Sequence, residues 1–200
     1  MEYDTIPILQ KWGFVLDKRE LANAMVKRSL SDALFKLLEE KNISEISVSS
    51  LIEEAHVARA SFYRNFNSLE EVLQYELDKV IEQYIAECPR EIVDYADYDY
   101  LVWKFGFYQR HAEKLLALKN AGLGDLILSA TNQLTLHRFN KGRSFGEKIE
   151  RYFSAGAFNN VTLHWLASGA EESPEDMARI FVDLYSNGGE LPEQTPRVQG

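Results

Sequence analysis

Apolar residues return at intervals of three and four along nearly the whole chain, and no alternating apolar–polar run lasts more than a few residues. That period confines the fold to packed α-helices, because only a helix gathers residues so spaced onto one face. Leu30, Ala33, Leu34, Leu37 and Leu38 draw the first stripe, with Asp17 and Glu20 suited to cap its start and Asn42 to end it in the left-handed conformation. Short helical patterns follow at 48–55 and 59–65. Ser68-Leu69-Glu70-Glu71 then reads as a capping box opening a longer helix, with Val72, Leu73, Leu77, Val80, Ile81, Tyr84 and Ile85 inward as far as Pro89. Helices are expected near 98–110, 112–119, 125–139, 145–168 and 174–186. The breaks between them fall at Asn120-Ala121-Gly122, Asn140-Lys141-Gly142 and Ser168-Gly169. Ser173-Pro174-Glu175-Asp176 is a helix start, with Ser at the cap, Pro first and acids in the opening turn. The fold class is all-α.

Two hundred residues supply a real core, and 46% apolar with 26% charged residues is ordinary globular usage. The single cysteine, Cys88, excludes an intrachain disulfide framework and a cysteine zinc site, and fits a reducing cytoplasm. No apolar stretch reaches the roughly 18 residues of a membrane span. The first sixteen residues lack the basic region of a signal peptide. A cytoplasmic protein with no membrane partner is expected. Net charge is −9, which argues against a generally basic nucleic-acid coat. Its distribution is uneven: residues 18–66 hold 8 Lys+Arg against 7 Asp+Glu, whereas residues 67–200 hold 13 against 21.

Residues 47–73 carry the chemistry. They read as two short helices joined by about three residues and packed under the longer first helix. Val48, Leu51, Ile52 and Ala55 form the inner face of the first, Val57 fills the turn, and Phe62 and Phe66 anchor the second. The outward positions of the second are then Arg59, Ala60, Ser61, Tyr63, Arg64 and Asn65, a polar and aromatic surface with two arginines and no carboxylate. Such a face suits the major groove of double-stranded DNA, with guanidinium and amide groups for base edges and hydroxyls for phosphates.

From Ile46-Ser47-Val48 through Ala55, then Val57, Arg59, Ser61-Phe62-Tyr63-Arg64, Phe66 and Glu70-Glu71-Val72-Leu73, the chain resembles the DNA-binding domain of TetR/AcrR-family transcriptional regulators. Gly156, His164-Trp165-Leu166, Gly169 and Ser173 to Ala178 are similar to a subgroup related to activators of dihydroxyacetone kinase genes. The resemblance implies an N-terminal three-helix bundle with a helix-turn-helix and a C-terminal helical regulatory and dimerisation domain. It divides the chain into an extension at 1–17, the DNA-binding domain at 18–66, an effector-binding and dimerisation domain at 67–187 and a flexible tail at 188–200. It further implies a homodimer on an inverted-repeat operator, controlled by a small-molecule effector, with no cofactor. Carried over by position, Ser47 caps the second helix and Ser49 faces the DNA backbone. Arg59, Ala60, Ser61 and Arg64 lie near base edges, with Tyr63 and Asn65 toward phosphate. Lys18, Arg19, Lys27 or Arg28 would add backbone contacts.

Three positions depart from the pattern. His56 stands where a turn glycine is usual, so a positive φ is expected at a residue that tolerates it better than most. Ala58 replaces a capping Ser, Thr or Asn, and Leu69 replaces a common lysine; both changes subtract from the grip on phosphate. In the regulatory half, Trp103, Phe107, His137, Asn159, Asn160 and His164 are candidates to line an effector pocket, the alternative being that these aromatics form the core and the dimer surface. Helices 145–168 and 174–186 are expected to pair two subunits, with Gly156 between Ala155 and Ala157 allowing close approach.

Catalysis finds little support. The four histidines have no metal-ligand spacing, the paired glutamates read as solvated faces, and Gly122-Leu123-Gly124 lacks a phosphate-loop context. The competing readings are a helical interaction protein with weak or lost DNA binding, and a metal-dependent helical enzyme.

Overall fold

Leu30, Ala33 and Leu34 turn one face of the first helix, α1 (Lys18–Glu40), into a core that Leu51, Phe62 and Phe66 complete from two short helices, α2 (Val48–Glu54) and α3 (Arg59–Asn65). The structure is a computed structural model and describes residues 18–90, 95–139 and 144–186, without the side chains of 135–139. The remaining helices are α4 (Leu69–Glu87), α5 (Tyr98–Arg110), α6 (Ala112–Leu118), α7 (Gly124–Phe139), α8 (Phe145–Ala167) and α9 (Pro174–Ser186). Among the described residues the ordered elements are all helical, none of them long and apolar enough to cross a membrane. The chain divides into two compact units, Met1–Gln74 and Tyr75–Gly200, with the division inside α4.

In the first unit α1 packs on both α2 and α3. Phe62 and Leu51 are fully buried, and Ile46 and Leu69 close the edges of the same core. Within the α1 stripe Leu37 and Leu38 are only half-buried, while Phe35 is buried. Asn42 does not end α1 in a left-handed conformation. It is extended (φ −71°, ψ 152°) and heads a 3₁₀ turn, Ile43–Glu45, whose Glu45 carboxylate accepts from the Asn42 backbone N–H. The proposed Asp17 cap, the break at 140–142 and the tail at 188–200 lie outside the described residues.

The second unit is built on rings. Phe105 lies 4.9 Å from Phe158, 5.6 Å from Trp165 and 6.2 Å from Phe181, joining α5, α8 and α9. Tyr84 of α4 meets Trp103 and Phe107 of α5, and its hydroxyl lies 2.5 Å from that of Tyr100. Burial pushes both phenols well above their ordinary range, so they stay neutral. Ile85, expected inward, is 48% exposed, since the α4 stripe turns away from the core one residue after Tyr84. Gly122 (φ 78°) lies in the π-turn that separates α6 from α7, and Gly169 (φ 101°) follows α8; both are conformations that glycine adopts without a Cβ clash. Ser173 Oγ accepts from the Asp176 N–H and caps α9, and Ser144 caps α8 in a capping box with Glu147.

Sequence reading did not single out Lys104, which is 2% exposed in the middle of this ring cluster. Its Nζ donates to the Tyr95 hydroxyl at 3.2 Å and lies 3.9 Å from the centre of the Phe158 ring, and no ion pair is described for it. Burial lowers its amine from the ordinary 10.5 to about 7. An unfolded chain therefore binds a proton between pH 7 and 10.5 that the folded chain refuses, so stability rises with pH across that window. Lys104→Met keeps the length and removes the proton. It is expected to raise Tm at pH 7 by several degrees and to flatten the rise of stability from pH 7 to 10, as followed by circular dichroism melts.

Candidate nucleic-acid interface

The approach to α3 is set by three local features. Ser47 caps α2: its Oγ accepts the Ser50 N–H at 3.0 Å while the Ser50 hydroxyl accepts the Ser47 N–H at 3.0 Å. The chain then turns at His56, whose φ of 52° realises the expected positive angle, and the Val57 N–H returns to the Ile52 carbonyl at 3.0 Å. A non-glycine residue there stores roughly 1–2 kcal/mol of backbone strain. Ala58 begins α3 in extended conformation and offers no side-chain cap, as its methyl group requires. Phe62, fully buried one turn on, then fixes which face of α3 points outward.

That outward face carries Arg59, Ala60, Tyr63 and Arg64, all exposed, with no acid between residues 59 and 65. Arg59 does not extend freely. Its Nη1 donates to Ser49 Oγ of α2 at 3.1 Å, its Nη2 to the Tyr63 hydroxyl at 3.4 Å, and its guanidinium carbon lies 5.6 Å from the centre of the Tyr63 ring. The three residues thus form one group. Ser61 and Asn65 are half-buried, and the Asn65 amide is turned back to donate to the Ser61 carbonyl at 2.8 Å. The reading of Asn65 as an outward amide therefore gives way to a side chain that bonds its own helix.

On α1, Lys18 and Arg19 are exposed, Lys27 lies 5.8 Å from the Phe66 ring centre, and Arg28 is 3.7 Å from Asp32. Lys36 is paired with Glu54 of α2 at 2.5 Å, which offsets the charge of that carboxylate. Leu69 is buried and packs rather than reaching out. The capping box at 68–71 is half realised. Ser68 Oγ accepts the Glu71 N–H at 3.3 Å, but the Glu71 carboxylate accepts from the Asn67 backbone and side chain, which hold it below the usual carboxylate range.

The effector candidates do not converge. Phe107 is buried and Trp103 half-buried in the ring cluster. Asn159 is buried with its Oδ1 unpartnered by any described residue. Asn160 and His164 are exposed, four residues apart on the outer face of α8, and the His137 side chain lies outside the described residues. The cavity in the second unit is instead lined by Leu77, Tyr84, Phe107, Tyr108, Leu115 and Thr131, with other apolar residues of α4 and α7. It measures about 20 Å³, room for a water molecule or two. Of the six candidates only Phe107 lines it. Thr131 and Tyr108, whose oxygens lie 3.4 Å apart, are its polar features, and helical spacing alone gave no sign of them. Among the described residues no cluster of three His, Cys, Asp or Glu side chains is placed to hold a metal ion.

Two short helices joined by a tight turn and braced by a longer one form a helix-turn-helix, whose outer face bears arginine and no acid. Residues 30–75 match the family model described as "Bacterial regulatory proteins, tetR family". A TetR transcriptional regulator from Streptococcus agalactiae 2603V shares the fold at 19% identity and a TM-score of 0.61, over 82% of this chain and 95% of that one. The dihydroxyacetone kinase operon activator DhaS is similar at 19% identity and a TM-score of 0.53, over 82% and 96%. The comparison with curated proteins gives no match. The missing cap at Ala58 is directly testable: Ala58→Ser is expected to stabilise the protein by about 1 kcal/mol in denaturant melts.

Proposed function

We propose that this chain is a TetR-family transcriptional regulator that binds an inverted-repeat operator as a homodimer, with residues 18–66 as the reading head and residues 67–187 as the regulatory and pairing part. The observation that carries the reading is the outward face of α3, where Arg59, Ala60, Tyr63 and Arg64 stand exposed and free of acid. The excess of acid in residues 67–200 keeps that part off DNA by like-charge repulsion, so nonspecific affinity is low and binding depends on a few phosphates per subunit.

Pairing is supported by α8. Phe145 (79% exposed), Ile149, Tyr152 and Phe153 (73%) recur at helical spacing, and Asn160 and His164 continue the exposed face. Gly156, on the same line, has open space where a Cβ would stand. An aromatic stripe of this kind is costly in water and is relieved when a second copy covers it. Control by a small effector draws support from the cavity of the second unit. At its present volume an effector larger than a water molecule or two enters only by parting the side chains of α4, α6 and α7, which gives binding a mechanical consequence.

The second reading, a helical interaction or regulatory protein with weak or lost DNA binding, is favoured by the uncapped Ala58, the buried Leu69 and the Asn65 amide bonded back to its own helix. Selection from a random DNA pool separates the two. The expected outcome is an inverted repeat with half-sites about one helical turn apart, bound less tightly as salt rises; recovery of no sequence would favour the second reading. For pairing, Phe153→Glu is expected to convert a dimer to a monomer in sedimentation equilibrium while leaving helix content unchanged.

A further inference from the structure

The arginine at the start of α3 is held in a way that a simple phosphate contact does not require. Its guanidinium is tied at one corner to Ser49 of α2 and at another to the Tyr63 hydroxyl, with the Tyr63 ring beside it. Tyr63 is itself set edge-on against the buried Phe62, 5.2 Å away, so the brace is anchored in the core of the first unit. Both acceptors are neutral hydroxyls. They fix the plane of the group without cancelling its charge, and two of its five N–H donors are spent on them, leaving three for a ligand. A phosphate also accepts a bidentate fork but carries no sequence information, whereas the acceptor pattern of a base edge is read only by a fork held in the right plane. Arg64, in the last turn of α3, has no described hydrogen bond or ion pair and serves as the contrast. Next to Arg59 stands Ala60, exposed and small enough to let the N-terminus of α3 come close to the groove floor.

We propose that Arg59 is the specificity-determining residue of the operator contact, its fork reading the O6 and N7 acceptors of a guanine in each half-site, and that Ser49 and Tyr63 are positioning residues for it. Those two acceptors match the fork of a guanidinium, and the first residues of a recognition helix are the ones that reach base edges. The inference rests on the DNA-binding reading above. It reassigns Ser49 and Tyr63 from phosphate contacts to the arrangement of a single side chain.

The test uses the full-length protein and the operator selected from a random pool. Affinities are measured by fluorescence anisotropy for that site and for every single-base-pair variant of it, over a range of salt. Wild type is expected to prefer G·C at one symmetry-related position by roughly ten-fold or more. Arg59→Ala is expected to erase the preference there and leave those at other positions intact. Ser49→Ala and Tyr63→Phe are expected to narrow it without altering the salt dependence, and Ser49→Thr, which keeps the hydroxyl, to retain it. If Arg59→Ala instead weakens all variants equally and makes the salt dependence shallower, Arg59 is a phosphate contact and the inference is overturned. If Ser49→Ala and Tyr63→Phe leave the preference unchanged, the positioning role is overturned. Failure of the wild type to select any site is a different result, and overturns the DNA-binding reading together with this one.

Discussion

The complete burial of Phe62 is the contact on which the rest of the first unit depends. α3 has only seven residues, too few to hold together in water on their own, so its orientation comes from the side chain it plants in the core. With Phe62 under α1 and beside Leu51, the neighbouring positions have nowhere to go but outward. Removing a ring of that size typically costs roughly 3–5 kcal/mol, comparable to the whole stability of a small domain. The exposed face of α3 is therefore a consequence of packing on the opposite side of the same short helix.

The two units solve different problems with similar material. In the first, aliphatic residues and three phenylalanines hold a small helix-turn-helix, and strain at His56 is accepted to make the turn. In the second, stacked and edge-on rings from α4, α5, α8 and α9 pack together, and a cavity of water size lies beside Tyr84 and Phe107. A buried Lys104 within those rings is a stability cost that an apolar side chain would not carry.

The helical elements were legible because their signals are local. The bounds of α3, α5 and α9 agree with the periodicity and punctuation at 59–65, 98–110 and 174–186, and Ser47 caps α2 as its position suggests. Asn42 was misread because a residue that tolerates the left-handed conformation also caps a following turn, and nothing nearby in the sequence distinguishes the two. The effector candidates are scattered for a different reason. An aromatic or polar residue on a helix is assigned to a pocket only by knowing which helix it faces, and helical spacing does not contain that; Asn160 and His164 face outward while Tyr108 and Thr131 reach the cavity.

By itself the sequence determined the all-helical class, the helix-turn-helix with its acid-free outer face, and the defects at His56, Ala58 and Leu69, because each follows from residue type at fixed helical spacing. Only the tertiary structure decided that Arg59 is braced between Ser49 and Tyr63, that Asn65 folds back on its helix, and that Lys104 is enclosed by rings. The physical reason is the same in each case. Those outcomes depend on side chains meeting across ten or more residues of sequence, or on one of several available rotamers prevailing. Packing settles both, and periodicity leaves them open.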